Sequence, residues 1–186
     1  INEKKEPPID AKKWEDVENQ VCSVARALAV IGERWTLLIL RDIFMGTRRF
    51  DEIQSSLGIT RHRLAERLVK LVKKGVLVKV VYQEKPVRYE YKLTRMGLGL
   101  YPVLMSLTRW GDDWLDEGKG PPVEYIHKSC GSKINPIVSC GECGEVIHPE
   151  KVIPIPGEIF KTNSSSHIEP RNIPLFISKL GEVQKS

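Results

Sequence analysis

The sequence predicts an α+β fold, with a mostly helical body, one two-stranded hairpin and a small β-rich extension at the C-terminal end. Three observations predict it. Apolar residues recur at helical spacing through most of residues 14–117. Two β-branched segments, residues 76–82 and 87–93, interrupt that pattern around a turn at 83–86. Three of the four cysteines, Cys130, Cys140 and Cys143, fall together beyond the helical body and close to His127.

A chain of 186 residues fits one domain with an appendage, or two small domains. Its 41% hydrophobic content supports a real core and excludes wholesale disorder. The uncharged apolar runs, such as residues 36–40, are too short to span a bilayer, so no membrane partner is expected. Residues 1–8 are charged and carry no hydrophobic segment, so no signal peptide is expected either. Clustered cysteines point to metal rather than to a disulfide framework. That favours a reducing, cytoplasmic compartment.

Along the chain, residues 1–13 are rich in Lys, Glu and Pro and read as a frayed N-terminus. A helix is expected over 14–31 through Val17, Val21, Val24, Leu28 and Ile31, interrupted by Gly32. A second runs from Glu33 to Phe44, apolar on most sides and therefore in the core, and Gly46 ends it. Residues 49–56 form a short helix with Phe50 and Ile53 inward, followed by the Leu57-Gly58-Ile59 turn. Thr60 suits the N-cap of a helix over 61–74, ended by Gly75. There Leu64, Leu68, Leu71 and Val72 make one stripe, and Arg61, His62, Arg63, Glu66, Arg67 and Lys70 take the other faces. After the hairpin, Thr94 caps a long amphipathic helix to about Glu117, which Pro102 is expected to bend. Residues 118–122 are a linker, 123–157 a small segment of short strands and turns, and 158–186 a loosely held tail.

The net charge of +5 is unevenly placed. Residues 60–92 hold ten Lys/Arg against three acids, a local excess of +7 that leaves the rest of the chain at −2. Concentrated on one segment, this excess favours a polyanion partner over an ordinary solvated face. A short helix, a glycine turn, a capped basic helix and a hairpin, in that order, make a winged helix-turn-helix. In such a unit the first helix braces the second, whose N-terminal residues enter the major groove of double-stranded DNA. Arg61, His62 and Arg63 are then the candidates for base edges, with Arg67 for base or backbone. Arg48, Arg49 and Thr60 would lie near phosphates, as would Lys85 and Arg88 on the wing.

The stretch from Cys22 to Leu115 resembles the HxlR family of bacterial and archaeal regulators, relatives of the MarR group. The residues that carry the resemblance are Cys22, Gly32-Glu33-Arg34-Trp35-Thr36-Leu37-Leu38-Ile39-Leu40-Arg41 and Gly46-Thr47-Arg48-Arg49-Phe50. They continue with Gly58-Ile59-Thr60, Leu64-Ala65-Glu66-Arg67-Leu68, Gly75-Val76-Leu77, Val87 to Thr94, and Trp110-Gly111. The resemblance implies a homodimer built on the first and the long C-terminal helices, and a repressor or activator role near the protein's own operon. On that basis Leu104, Leu107, Trp110 and Trp114 are expected in the dimer interface or the core.

Two departures stand out. Cys22 is followed by Ser23 where the family commonly has proline, and the extension beyond Gly118 is absent from many members. In some members a cysteine at the position of Cys22 senses oxidants or electrophiles, so a redox or small-molecule effector is one reading. The other is a small apolar residue packed at the interface.

In the extension, His127-x2-Cys130-Gly131 and, nine residues on, Cys140-x2-Cys143-Gly144 form a pair of tight-turn motifs, each able to supply two zinc ligands. One structural zinc per chain is expected, with His148 as a spare ligand, against the alternative of a metal-free β-arm with free thiols. A four-ligand site leaves no open coordination position, and no paired carboxylates, nucleophile elbow or phosphate loop is visible, so an enzyme is not expected. The competing functional reading is a basal transcription or protein-interaction module that joins a winged helix to a zinc ribbon.

Overall fold

The computed structural model describes residues 22–155, 157 and 158. The frayed N-terminus, the first part of the helix expected over 14–31, and the tail from 159 onward lie outside these residues. The chain divides into two compact units, one ending at Pro121 and one beginning at Pro122.

The first unit runs α1 (Ser23–Ile31), α2 (Thr36–Phe44), α3 (Phe50–Leu57), α4 (Arg61–Lys73), β1 (Leu77–Glu84), β2 (Val87–Leu93), α5 (Arg95–Leu98) and α6 (Tyr101–Leu115). Its core is built from the apolar stripes seen in the sequence. Ile39 and Leu40 of α2, Ile53 of α3, and Leu64, Leu68 and Leu71 of α4 are essentially inaccessible, with Val76 and Leu77 closing the cluster from the strand side. Each such side chain contributes about 1.5–3 kcal/mol by leaving water. Gly58 ends α3 in the left-handed region (φ +61), which lets the chain reverse into α4 within three residues.

Three local expectations are corrected. The hairpin turn is shorter than 83–86: pairing continues through Gln83–Arg88 and Glu84–Val87, leaving only Lys85 and Pro86 in the loop. A register shift between Val81 and Gln83 accommodates Tyr82 as an extra residue and strengthens the local twist. The second helix starts at Thr36 rather than at Glu33, because residues 33–35 form a turn.

The long helix expected over 94–117 is instead two helices, α5 and α6, separated at Gly99 and Leu100. Pro102 does not bend α6 but stands in its first turn, where its missing N–H has no partner to lose. Thr94 Oγ1 accepts the Gly97 amide at 3.1 Å and donates to the Gly75 carbonyl at 2.6 Å. Gly97 lies so close to the residue before β1 that a Cβ there would be 2.3 Å from the Val76 carbonyl oxygen.

In the second unit the described residues show two isolated β-bridges, Ile126–Lys133 and Ser139–Val146, and one 3-10 turn, Pro149–Lys151.

Candidate nucleic-acid interface

The bracing helix α3 begins at Arg49, whose amide donates to the Glu52 carboxylate at 3.3 Å and whose guanidinium lies 3.5 Å from the same side chain. This capping arrangement satisfies a backbone donor at the helix start. Ile53 and Leu64 interlock in the core, with Phe50 and Leu57 packed around them, so α4 is held firmly against α3. Thr60 occupies the N-cap of α4, but its hydroxyl makes no capping hydrogen bond and is exposed. Arg61, His62 and Arg63 follow on the first turn, all exposed, while Leu64 behind them is fully buried. That is the division of faces a groove-reading helix requires.

The four cations singled out around α4 are not equivalent. Arg61 lies 3.2 Å from Asp51 and over the Phe50 ring at 4.8 Å, so it is positioned by the bracing helix. Arg67 is only 17% exposed and pairs with Glu33 at 3.0 Å, with Glu66 at 3.6 Å on its other side. Its charge is spent inside the protein. His62 and Arg63 have no ion pair with any described residue, which leaves them available to an external partner.

The wing is joined to the helix-turn-helix by backbone. Arg49 forms an antiparallel bridge with Glu90, and the Tyr91 amide donates to the Arg48 carbonyl at 2.9 Å. The loop before α3 is therefore tied to β2 by one isolated bridge, a feature without any sequence signal of its own. Side chains reinforce the join: Arg49 stacks on Tyr82 at 4.5 Å, and Lys79 on Tyr89 at 3.8 Å. Glu90 is held ionised well into the acid range, chiefly by its hydrogen bond from Lys92 and, beyond that, by the Lys92, Arg48 and Arg49 charges. Between wing and helices opens a cleft of about 390 Å³ lined by Arg49, Arg61, Lys79, Arg88 and three tyrosines. Lys85 and Arg88 are exposed at and beside the tip, where the Gln83 side chain donates to the Lys85 carbonyl at 3.0 Å and stiffens the loop. The cationic face is thus continuous from the first turn of α4 to the wing.

Comparison with known proteins matches residues 30–119 to the HxlR-like helix-turn-helix model. The chain is 44% identical over 144 residues to the uncharacterised HTH-type transcriptional regulator Rv3095 of Mycobacterium tuberculosis, covering 77% of this chain and 91% of that one. The chain belongs to the HxlR-like helix-turn-helix family. It is also 32% identical over 102 residues to the HTH-type transcriptional regulator YodB of Bacillus subtilis, covering 54% of this chain and 91% of that one. Among solved structures it is similar to PA1607, a candidate transcription factor, with a TM-score of 0.67 and 36% identity over 74% of this chain and 96% of that one. A second, from Pseudomonas aeruginosa, has a TM-score of 0.53 and 30% identity over 81% of this chain and 99% of the other. As an HxlR-like protein, the chain is a DNA-binding transcriptional regulator with a winged helix-turn-helix, not an enzyme. Because the first unit holds only 121 residues, the 144-residue likeness to Rv3095 reaches at least 23 residues into the second unit.

The remaining candidate residues of this HxlR-like chain lie away from the cationic face. On α6, Leu107, Trp110 and Trp114 are exposed and recur with Val103 at helical spacing, while Leu104 is half-buried. Val24 and Leu28 of α1 are exposed one turn apart. Cys22 is exposed at the N-cap of α1. No described helix is long and apolar enough to cross a membrane.

In the second unit, His127 Nδ1 lies 3.4 Å from Cys130 Sγ. The Cys130 thiol is pulled below its ordinary range mainly by hydrogen bonds from the Ser132 amide and hydroxyl. Cys140 is pulled down by the amides of Cys143 and Glu142. His148 stands apart from both turns, at the N-cap of the 3-10 turn. Among the described residues no three metal-binding side chains come together at one point.

Proposed function

We propose that this regulator acts as a homodimer that occupies an inverted-repeat operator and represses transcription there. The observation that carries the reading is the exposed apolar stripe of α6. Trp110 is 56% and Trp114 74% accessible, with Leu107 and Val103 on the same face. An aromatic and aliphatic stripe of this size is a poor solvent-facing surface and a good isologous interface. Two protomers joined through it would present two α4 helices to successive major grooves, about 34–36 Å or a multiple apart.

Within each half-site, Arg63 and His62 read base edges, and Arg61 is aimed by Asp51 and Phe50. Arg48, Arg49, Thr60, Lys85 and Arg88 hold phosphates, and Arg67 serves chiefly to fix α4. A dimer bound across a promoter represses by excluding polymerase. Its DNA partner places its work in the cytoplasm. The exposed Cys22 thiol is where an oxidant or electrophile would act on it, and diamide treatment of the Cys22→Ser variant tests that entry point.

Selection of bound sequences from a random duplex library at physiological salt tests the central reading. An enriched inverted repeat, together with a dimer in sedimentation, supports it. Weak, steeply salt-dependent binding with no motif, by a monomer, would favour the protein-interaction module instead.

A further inference from the structure

The second unit contains a structural repeat that its regulator role does not use. The His127 amide donates to the Ser132 carbonyl, the Gly131 amide to the His127 carbonyl, and the Ile134 amide to the Tyr125 carbonyl, at 2.8, 2.8 and 2.7 Å. Thirteen residues later the same three bonds recur: Cys140 to Glu145, Gly144 to Cys140, and Ile147 to Val138, at 2.8, 2.8 and 2.9 Å. The flanking bridges, Ile126–Lys133 and Ser139–Val146, repeat with the same offset. So do the left-handed glycines, Gly131 (φ +72) and Gly144 (φ +74). Each turn is one knuckle, in which a ligand-type side chain at its start faces another three residues on.

We propose that the two knuckles are the halves of one tetrahedral zinc site, with His127, Cys130, Cys140 and Cys143 as its ligands. The His127 Nδ1 to Cys130 Sγ separation of 3.4 Å is that of two ligands on one ion. Zinc–nitrogen and zinc–sulfur bonds of about 2.0 and 2.3 Å at a tetrahedral angle place their ends about 3.5 Å apart. Among the described residues no three metal-binding side chains stand together, so the proposal requires the two knuckles to approach each other when the ion binds.

The unit also needs such a staple. Among its described residues no side chain is buried, and Ile126, Ile137, Val138 and Ile147 are all exposed. The described residues of a segment this small, having no buried side chain among them, would gain from such a staple against the entropy of ordering their turns.

The test uses the full chain purified without chelators. Elemental analysis is expected to give about one zinc per chain, lost in Cys140→Ser/Cys143→Ser and in His127→Ala but kept in His148→Ala. Because the double variant could lose its metal simply by misfolding, cobalt exchange into the wild-type chain supplies an independent reading. Intense thiolate-to-cobalt and tetrahedral d–d bands support the site, and the weak spectrum of octahedral cobalt overturns it. Zinc far below one equivalent, or a Cys140–Cys143 disulfide trapped by alkylation at lysis, also overturns it. Loss of zinc in His148→Ala with retention in His127→Ala overturns the ligand set.

Discussion

Glu33 and Arg67 form an ion pair of 3.0 Å that ties the middle of the DNA-reading helix to the turn before α2. The arginine is largely enclosed and the glutamate about one-third exposed, so the pair is better shielded than an ordinary surface contact. On the proposed reading, the pair makes Arg67 a buttress rather than a reader. A double-mutant cycle over Glu33→Gln and Arg67→Met is expected to show a stability coupling of about 0.5–1 kcal/mol. Arg67→Met should weaken operator and random DNA by similar factors. A loss confined to one base position would return Arg67 to the base-reading set.

Arg63 and Lys85 should behave in opposite ways. Arg63→Ala is expected to cost about 1–3 kcal/mol on the selected operator and to relax preference at one base pair. Lys85→Ala should weaken all sequences alike and reduce the slope of log K against log salt by about 1. Fluorescence anisotropy on matched operator and scrambled duplexes, over a range of salt, separates the two outcomes.

The close approach of α5 to Val76 predicts an intolerant glycine. With the Val76 carbonyl 2.3 Å from where a Cβ would stand, Gly97→Ala forces backbone apart and is expected to cost at least 1–3 kcal/mol. Thr94→Val removes the hydroxyl that bridges Gly75 and Gly97 and should cost about 1–2 kcal/mol. Urea midpoints at constant m-value report both. Wild-type stability in Gly97→Ala would show that the two segments separate freely.

Trp110→Glu, alone or with Leu107→Glu, is expected to convert the dimer to monomers in sedimentation velocity while leaving the helical circular dichroism intact. Both side chains are exposed in the protomer, so the fold does not rest on them. Operator affinity should fall towards that of a single half-site. A dimer that survives both charges places the interface elsewhere.

Much of the first unit was legible because its signals are local. The Leu64-Leu68-Leu71 stripe, the reversal at Gly58 and the Thr94 cap each follow from residues within a few positions of one another. The α5–α6 break was not legible, because the apolar repeat continues across it. The same limit applied to the cationic face. Charge content showed which segment carries the cations, but not that Arg67 is occupied by Glu33, since such pairing depends on tertiary approach. The Arg48–Tyr91 and Arg49–Glu90 backbone contacts were equally silent, as any residue type can make them.

Those last contacts have a consequence for how such a regulator could be retuned. With the loop before α3 bonded to β2, the wing and the groove-entering helix are tied together by backbone as well as by the chain, and act as one gauge. Little free energy is then consumed in ordering the wing on binding. The footprint within one half-site is set by covalent connectivity and backbone pairing. In the proposed dimer, what remains adjustable is the distance between two gauges. A ligand, an oxidant or a mutation that alters operator preference without touching the reading residues must therefore act on the helices outside the gauge.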